Sequence, residues 1–169
     1  MKEVVQLLSE MQAAGVIENY ALFGAIAQMR YTEPVITLDV DVLVSVPSPE
    51  RIDSLAGIYK YCQTRGYRPE GEAIRVGDWP VQFLPVFNPV AREAMEQAEI
   101  VDFEGHPVRV VRPDYLAVIA LATGRHKDRE RIFDLLESES TNRKEIENLA
   151  ARHGLDQKWQ QFVKRFLDA

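Results

Sequence analysis

Thr37-Leu38-Asp39-Val40-Asp41-Val42-Leu43-Val44 is the stretch from which the fold of this chain can be predicted. β-Branched and apolar residues run almost unbroken to the turn signal at Pro47 and Pro49, which predicts a buried strand. Asp39 and Asp41 are two positions apart, so on a pleated strand both side chains leave the same face, about 6 to 7 Å apart. Two carboxylates this close on an apolar strand repel each other and lose hydration. They therefore predict a site for a hard divalent cation, most simply Mg²⁺.

Composition limits the kind of protein. The chain has 169 residues, 46% of them hydrophobic and 27% charged, which is typical of a globular protein with one good core. Its net charge of −6 argues against a protein that binds long nucleic acid over its whole surface. His106, His126, His153 and the single cysteine fit no zinc pattern and no internal disulfide. Without a signal peptide or a membrane-length apolar run, we expect a cytoplasmic protein with no membrane partner.

A strand, a glycine turn and a helix precede the acidic stretch. Tyr20–Phe23 is apolar and strand-like, and it leads into Gly24-Ala25 and a run of small residues and good helix formers that ends at Arg30. Small residues at a helix start allow a phosphate to approach free backbone N–H groups, where the helix dipole also favours an anion. Taken alone, Gly24-Ala25 is more often explained by close packing. The paired aspartates that follow make phosphate binding the hypothesis to test.

The remaining pattern mixes helices and strands up to residue 112 and is helical afterwards. It predicts an α+β fold in which a mixed β-sheet flanked by helices, residues 1–112, is followed by a C-terminal helical segment, residues 113–169, packed on this core. In the helix predicted after Pro49, Ile52 and Cys62 are expected on the buried side. Predicted helices cover Lys2–Ala14, Pro49–Arg65, Pro89–Gln97, Pro113–Thr123, Arg143–Arg152 and Asp156–Leu167, and further strands cover Ala73–Val76, Trp79–Val86, Val101–Phe103 and Val108–Val111.

A run of charge follows Gly124. Arg125-His126-Lys127-Asp128-Arg129-Glu130-Arg131 places seven polar or charged residues in a row. The simplest interpretation is a solvated helix start, and the alternative is a basic cluster that meets phosphate. A helix cannot turn all of these side chains inward. If the cluster is functional, we expect Lys127 or Arg125 to face the aspartates, and Arg129 and Glu130 to lie outside.

Taken together, these motifs resemble the nucleotidyltransferase superfamily, the fold of polymerase β. The resemblance is carried by Leu22-Phe23-Gly24-Ala25 followed by Thr37-Leu38-Asp39-Val40-Asp41. The later Gly124-Arg125-His126-Lys127-Asp128 is similar to the AbiEii-type branch, known as nucleotidyltransferase toxins of toxin–antitoxin systems and related bacterial proteins. The similarity spans about residues 16–137.

The resemblance implies a site and its cofactor. Asp39 and Asp41 match the residues that hold Mg²⁺ or Mn²⁺ ions bridging a nucleoside triphosphate. The later motif implies a basic residue that neutralises charge on the leaving pyrophosphate. The implied catalytic residues are Asp39, Asp41, Lys127 and Asp128, and the implied nucleotide-binding residues are Gly24, Ala25, Thr37, Gln82, Arg125 and Lys127.

The chain also departs from the pattern of the superfamily. Ala25 lacks the hydroxyl of the Ser found in many relatives, and Gln82 supplies a neutral oxygen where a third carboxylate is expected. Ala120 stands where the AbiEii-type branch often has a lysine, and Arg131 where a further acid is expected. Alternative sources of the third acid are Asp128 and Asp102.

Two classes of function are compatible with these residues. The first is an enzyme that transfers a nucleoside monophosphate from a triphosphate to RNA, to a protein hydroxyl or to a small molecule. The second is a catalytically degenerate module that binds nucleotide or a partner protein, such as an antitoxin or a second copy of the chain, through its helical tail.

Overall fold

A computed structural model describes all 169 residues of the chain. None of its helices is long and apolar enough to cross a membrane. The helices are α1 Lys2–Ala13, α2 Gly24–Gln28, α3 Ala56–Thr64, α4 Pro89–Glu96, α5 Pro113–Thr123, α6 His126–Glu137, α7 Arg143–Arg152 and α8 Asp156–Phe162, which continues as a π-helical turn Val163–Leu167. The strands are β1 Asn19–Phe23, β2 Val40–Ser45, β3 Arg68–Glu70, β4 Ala73–Val76, β5 Trp79–Pro85, β6 Glu99–Phe103 and β7 His106–Val110.

The seven strands form one mixed sheet in the order β3-β4-β5-β2-β1-β7-β6. The predicted α+β fold with a mixed sheet flanked by helices is therefore confirmed. β2 lies in the middle of the sheet because its apolar side chains are buried on both faces, as in strands covered on two sides. It runs antiparallel to β1 and parallel to β5. These pairings place Phe23 opposite Asp41 and Gln82 beside Asp41.

One hydrophobic core joins the sheet to the C-terminal helices. α5 is buried from Tyr115 to Leu121, as is typical of a helix that is apolar all round. Trp159 of α8 belongs to the same buried cluster as Leu43 of β2. The division into residues 1–112 and 113–169 stays a prediction, and the side chains of both parts contribute to this core.

The predicted strand over residues 37–44 begins later than expected. β2 starts at Val40, so Thr37 and Asp39 lie in the irregular segment before it. The Thr37 hydroxyl donates to the carbonyl oxygen of Asp39 at 2.9 Å. Local hydrogen bonds of this kind compete with a strand ladder. Asp39 is exposed, whereas Asp41 within β2 is partly buried.

The predicted helix over Pro49–Arg65 is wrong in its first half. α3 begins only at Ala56, and residues 48–55 form turns in which Arg51 N–H donates to the carbonyl oxygen of Ser48. Ile52, which the periodicity places on the buried side, is fully exposed. A short helix in water depends on tertiary packing, and here nothing covers Ile52. Cys62, in the second half, is buried as predicted.

The strand β3 is absent from the sequence-based prediction. Its residues Arg68, Pro69 and Glu70 are all exposed and carry no apolar alternation. β3 forms because it pairs with β4 at the edge of the sheet. An edge strand of polar residues gives no periodic signal that could have predicted it.

Candidate functional site

Asp41 is the centre of the candidate site. The residue is partly buried at the start of β2, and burial raises the pKa of its carboxyl above the usual range. The nearby charge of Asp39 raises this pKa further, while Lys127, Arg131 and Arg125 act in the opposite direction. Two acids and three cations that lie far apart in the sequence therefore interact at this end of the sheet.

Gly24 provides backbone without a side chain directly against Asp41. It opens α2 in the left-handed conformation, with φ of +62°, which favours glycine. A Cβ at this position would overlap Asp41 Oδ2 and lie 3.3 Å from Asp41 Cγ. The glycine of the predicted turn is thus required both by its own conformation and by the carboxylate beside it. Ala25 follows as the second residue of α2.

Asp128 acts as an internal anchor for Arg125. Its side chain is 1% exposed, and its Oδ2 accepts hydrogen bonds from Arg125 N–H at 3.1 Å and from Arg125 Nε at 2.7 Å. Oδ1 accepts a third bond from Arg125 Nη2 at 3.2 Å. This arrangement satisfies a free backbone donor at the start of α6. Asp128 is therefore held within the protein, and its contacts are those of a residue that positions Arg125.

Arg131 connects α6 to α2 through a hydrogen bond at the base of the site. Its Nε donates to Gln28 Oε1 at 2.9 Å, and its Nη1 lies 3.7 Å from Asp128 Oδ1. Gln28 is oriented in turn by donating through Nε2 to Asp134 Oδ2 at 3.0 Å. The Arg131 side chain is 11% exposed, and burial lowers its pKa from the ordinary value. The sequence gives no periodic signal for this contact, since Gln28 and Arg131 come from separate helices.

The other charged residues at the start of α6 point to different neighbours. Lys127 is exposed, and its charge reaches Asp41. Arg129 lies over the ring of Phe166, at 5.3 Å from the ring centroid. Glu130 Oε1 is 3.4 Å from His126 Nδ1.

Gln82 lies directly beside Asp41, at the place where a third carboxylate is expected from the resemblance. Its Nε2 donates to Glu72 Oε2 at 3.5 Å, so Glu72 is an acid near this position that sequence reasoning missed. The expectation that Asp102 lies near the site is wrong. Asp102 is in the edge strand β6, with β7 and β1 between it and β2, and its carboxylate accepts from Gly105 N–H.

A cavity of about 230 Å³ lies next to these residues. Its walls combine apolar side chains with the Arg125–Asp128–Arg131 group, and Ala120, at the position where a lysine is expected, is part of the wall. Phe23, the strand partner of Asp41, is another lining residue, so the cavity reaches the strand position next to Asp41.

Asp39 and Asp41 are a suitable donor set for Mg²⁺ or Mn²⁺. No group of three His, Cys, Asp or Glu side chains converges anywhere in the chain. Mg²⁺ commonly takes only one or two carboxylates from the protein and completes its octahedron with water and substrate phosphates. The raised pKa of Asp41 marks a carboxylate whose charge the protein compensates only in part. The residues present therefore fit an ion that arrives with a phosphate ligand.

Comparison with known proteins identifies the fold. No protein-family model matches this sequence, and no curated protein matches it either. An antigenic nucleotidyltransferase-like protein from Paracoccidioides brasiliensis superposes with a TM-score of 0.54 at 12% identity, over 95% of this chain and 93% of that chain. The antibiotic-resistance factor ANT(2'')-Ia gives 0.49 at 14% identity, over 99% and 100% of the two chains. The first of these similarities shows that the chain has a nucleotidyltransferase-like fold.

Proposed function

We propose that the protein binds a nucleoside triphosphate with Mg²⁺ or Mn²⁺ and transfers a nucleoside monophosphate to a hydroxyl group of an acceptor. The observation that carries this proposal is the convergence on Asp41. Its carboxylate lies against the backbone of Gly24, next to Asp39, and within the electrostatic reach of Arg125, Lys127 and Arg131. Paired acids, a glycine turn and nearby cations are parts that phosphoryl transfer uses.

Each residue has a proposed role. Asp39 and Asp41 would hold the ion, which when bound neutralises charge on the phosphate oxygens. Gly24 and Ala25 admit the phosphates beside Asp41, and Thr37 positions Asp39 through its hydrogen bond. Arg125 and Lys127 neutralise the leaving group, and Asp128 positions Arg125. Gln82 offers its amide to the nucleotide.

The proposed reaction is an in-line displacement. The acceptor oxygen forms a bond to the α-phosphorus, the bond from this phosphorus to the oxygen of the β-phosphate breaks, and pyrophosphate leaves. The hydroxyl proton passes to solvent, because the neutral Gln82 cannot accept it. We therefore expect slow transfer.

A second candidate is a module that binds nucleotide or a partner without transfer. The observation that favours it is the position of Gln82 directly beside Asp41, which leaves the site one carboxylate short of the pattern. Three further statements remain proposals for either candidate. They are membership in the AbiEii-type branch, a toxin–antitoxin role with an antitoxin or a second copy of the chain as partner, and a cytoplasmic location. The Gly124–Asp128 motif, in which Gly124 ends α5 and Arg125 precedes α6, supports the branch membership and the toxin–antitoxin role.

Calorimetric titration with Mg²⁺ and ATP tests the binding step. We expect Asp39→Asn and Asp41→Asn to weaken binding at least about tenfold, equivalent to roughly 1.4 kcal/mol. Asp102→Asn is the matched control, since it removes the same charge in a distant edge strand. Unchanged affinity in both site variants would falsify the proposed metal site.

The transfer step needs a separate assay. Wild-type protein is incubated with each α-labelled triphosphate and with cellular RNA, protein and small-molecule fractions in turn. Covalent label in one fraction, lost in Asp41→Asn, identifies the acceptor class. Tight binding of Mg²⁺-ATP without any transferred label would favour the binding module.

A further inference from the structure

Two guanidinium groups share one buried carboxylate at the base of the site. Asp128 is 1% exposed, forms three hydrogen bonds with Arg125, and lies 3.7 Å from Arg131. Asp128 alone cannot neutralise both arginines, so they also depend on other anions for charge compensation. The Arg131 side chain is only 11% exposed, and a charge in such a position is unfavourable unless anions lie close to it.

The two arginines lie at the wall of a cavity. Arg125, Asp128 and Arg131 line the same space of about 230 Å³, whose other walls are largely apolar. Arg131 donates one hydrogen bond, from Nε to Gln28, and its Nη1 forms an ion pair with Asp128 at 3.7 Å, so neither of its terminal nitrogens has a hydrogen-bond partner. A planar guanidinium held in this way presents its remaining donors in a fixed direction, and this suits oxyanions such as phosphate.

Two further acids lie near these arginines: Asp134, which acts on Arg131 and accepts a hydrogen bond from Gln28, and Asp41. The charge of Asp41 acts on both Arg125 and Arg131. If Asp41 holds a divalent cation, as in the proposed function, its charge is committed to that ion. Arg125 and Arg131 then lose the compensation that Asp41 supplies, at the moment when a phosphate chain lies beside Asp41.

From this geometry we infer that Arg131, with Arg125, forms an oxyanion pocket that takes a phosphoryl group of the bound nucleotide. The inference rests on the proposed function and gives Arg131 a role that the sequence pattern does not assign. The same phosphate chemistry is present in free pyrophosphate, the product of the proposed reaction. Gln28 and Asp134 position Arg131 and connect the pocket to the glycine turn at the start of α2.

The test compares three ligands by calorimetry: Mg²⁺-ATP, pyrophosphate without metal, and adenosine. We expect Arg131→Gln, which keeps hydrogen-bonding groups but loses the charge, to weaken Mg²⁺-ATP and pyrophosphate binding at least tenfold. We expect Arg131→Lys to retain part of both affinities. Adenosine binding should not change in either variant. Arg129→Gln removes the same charge two residues away, where the side chain covers Phe166, and should bind within twofold of wild type.

The outcomes separate this inference from the proposed function. If wild type binds Mg²⁺-ATP and a folded Arg131→Gln binds it equally well, the pocket is disproved while the proposed function stands. If wild type binds no Mg²⁺-ATP but binds pyrophosphate through Arg131, the pocket stands and the proposed function fails. If Arg131→Gln does not fold, Arg131→Lys is used in its place. The inference is overturned if Arg131→Lys binds pyrophosphate as tightly as wild type, or if wild type does not bind pyrophosphate at all.

Discussion

Asp41 illustrates how a single residue at the site opposes stability. Burial and the charge of Asp39 together outweigh its three cationic neighbours, so the pKa of Asp41 is raised in the folded protein. Its contribution to stability is then fully present at low pH, where the carboxyl is protonated in both states, and is lost as pH rises through the folded-state pKa. The ionised carboxylate of Asp41 lowers the free energy of unfolding, as is common for groups at functional sites.

We therefore expect Asp41→Asn to raise the free energy of unfolding at neutral pH in metal-free buffer. The gain should shrink as the pH is lowered, because the wild-type carboxyl becomes neutral as well. Urea denaturation at a series of pH values measures it, with Asp102→Asn in the distant edge strand β6 as the control. A variant that is less stable than wild type at neutral pH would contradict this interpretation of the site.

Gly24 should be intolerant of even one methyl group. Gly24→Ala imposes a left-handed conformation on alanine, which costs about 1 to 2 kcal/mol, and adds an overlap with Asp41 Oδ2. Gly66→Ala is a matched control, because Gly66 also has a positive φ but has no neighbour near its Cβ position. We expect the larger loss of stability, and a loss of Mg²⁺-ATP affinity, only for Gly24→Ala. Urea midpoints and calorimetry of both variants provide the comparison.

Gln82→Asp tests whether the missing carboxylate limits catalysis. A third acid beside Asp41 could accept the hydroxyl proton and bind a second ion, so we expect faster transfer and tighter metal binding. Without metal, the added like charge should lower stability. Initial rates are measured alongside Glu72→Gln, which removes the acid near Gln82. If Gln82→Asp is no faster than wild type, and Glu72→Gln is slower, Glu72 supplies the missing carboxylate.

At the level of elements, the helix starts differ in how they are stabilised. Asn142 caps α7 by accepting from Glu145 N–H at 3.0 Å, an arrangement that serves the helix alone. At α6 the arrangement is reversed: Asp128, within the first turn, accepts from the backbone N–H of Arg125 and also pairs with two arginines. The connection from α5 to α6 is therefore fixed by charge as well as by capping.

We expect Asn142→Ala to lower the free energy of unfolding by about 1 kcal/mol, the usual effect of losing a cap. Asp128→Ala should lower it by more, about 3 kcal/mol, because it leaves the largely buried Arg131 and the more exposed Arg125 without their carboxylate. Chemical denaturation of the two variants compares these values. Equal losses would mean that Asp128 acts only as a cap.

On the scale of the whole molecule, the sheet and the helical segment share one core, and the two tryptophans report on them separately. Trp79 begins β5 in the sheet, and Trp159 is buried in α8. A shared core predicts that both parts unfold together. In Trp79→Phe the fluorescence reports on Trp159, and in Trp159→Phe it reports on Trp79. We expect the fluorescence transition of each variant to coincide with the loss of helix that circular dichroism records for the same variant. A fluorescence transition that precedes the loss of helix would show two independent units.

Several features follow from the sequence because short-range patterns encode them. α5 and α7 have the predicted bounds, since proline, glycine and asparagine mark their ends within a few residues. The hairpin that joins β4 to β5 through Gly77 is likewise set by a local turn. Asp41 is evident because its charge interrupts an otherwise apolar strand, whereas Asp39 lies just before that strand.

Other features depend on contacts between residues far apart in the chain. The periodicity after Pro49 is helical, yet Ile52 is exposed because no other element packs against it. Asp128 matches a motif for chemistry, but its neighbours hold it as an anchor. Arg131 and Gln28 are joined only when α6 packs beside α2, and Glu72 meets Gln82 only at the sheet edge. Local pattern determined most of the strands and helices, those with clear periodicity and end signals. Long-range packing decided the others, and it decided which charges share a site, because burial and hydrogen-bond partners exist only in the folded chain.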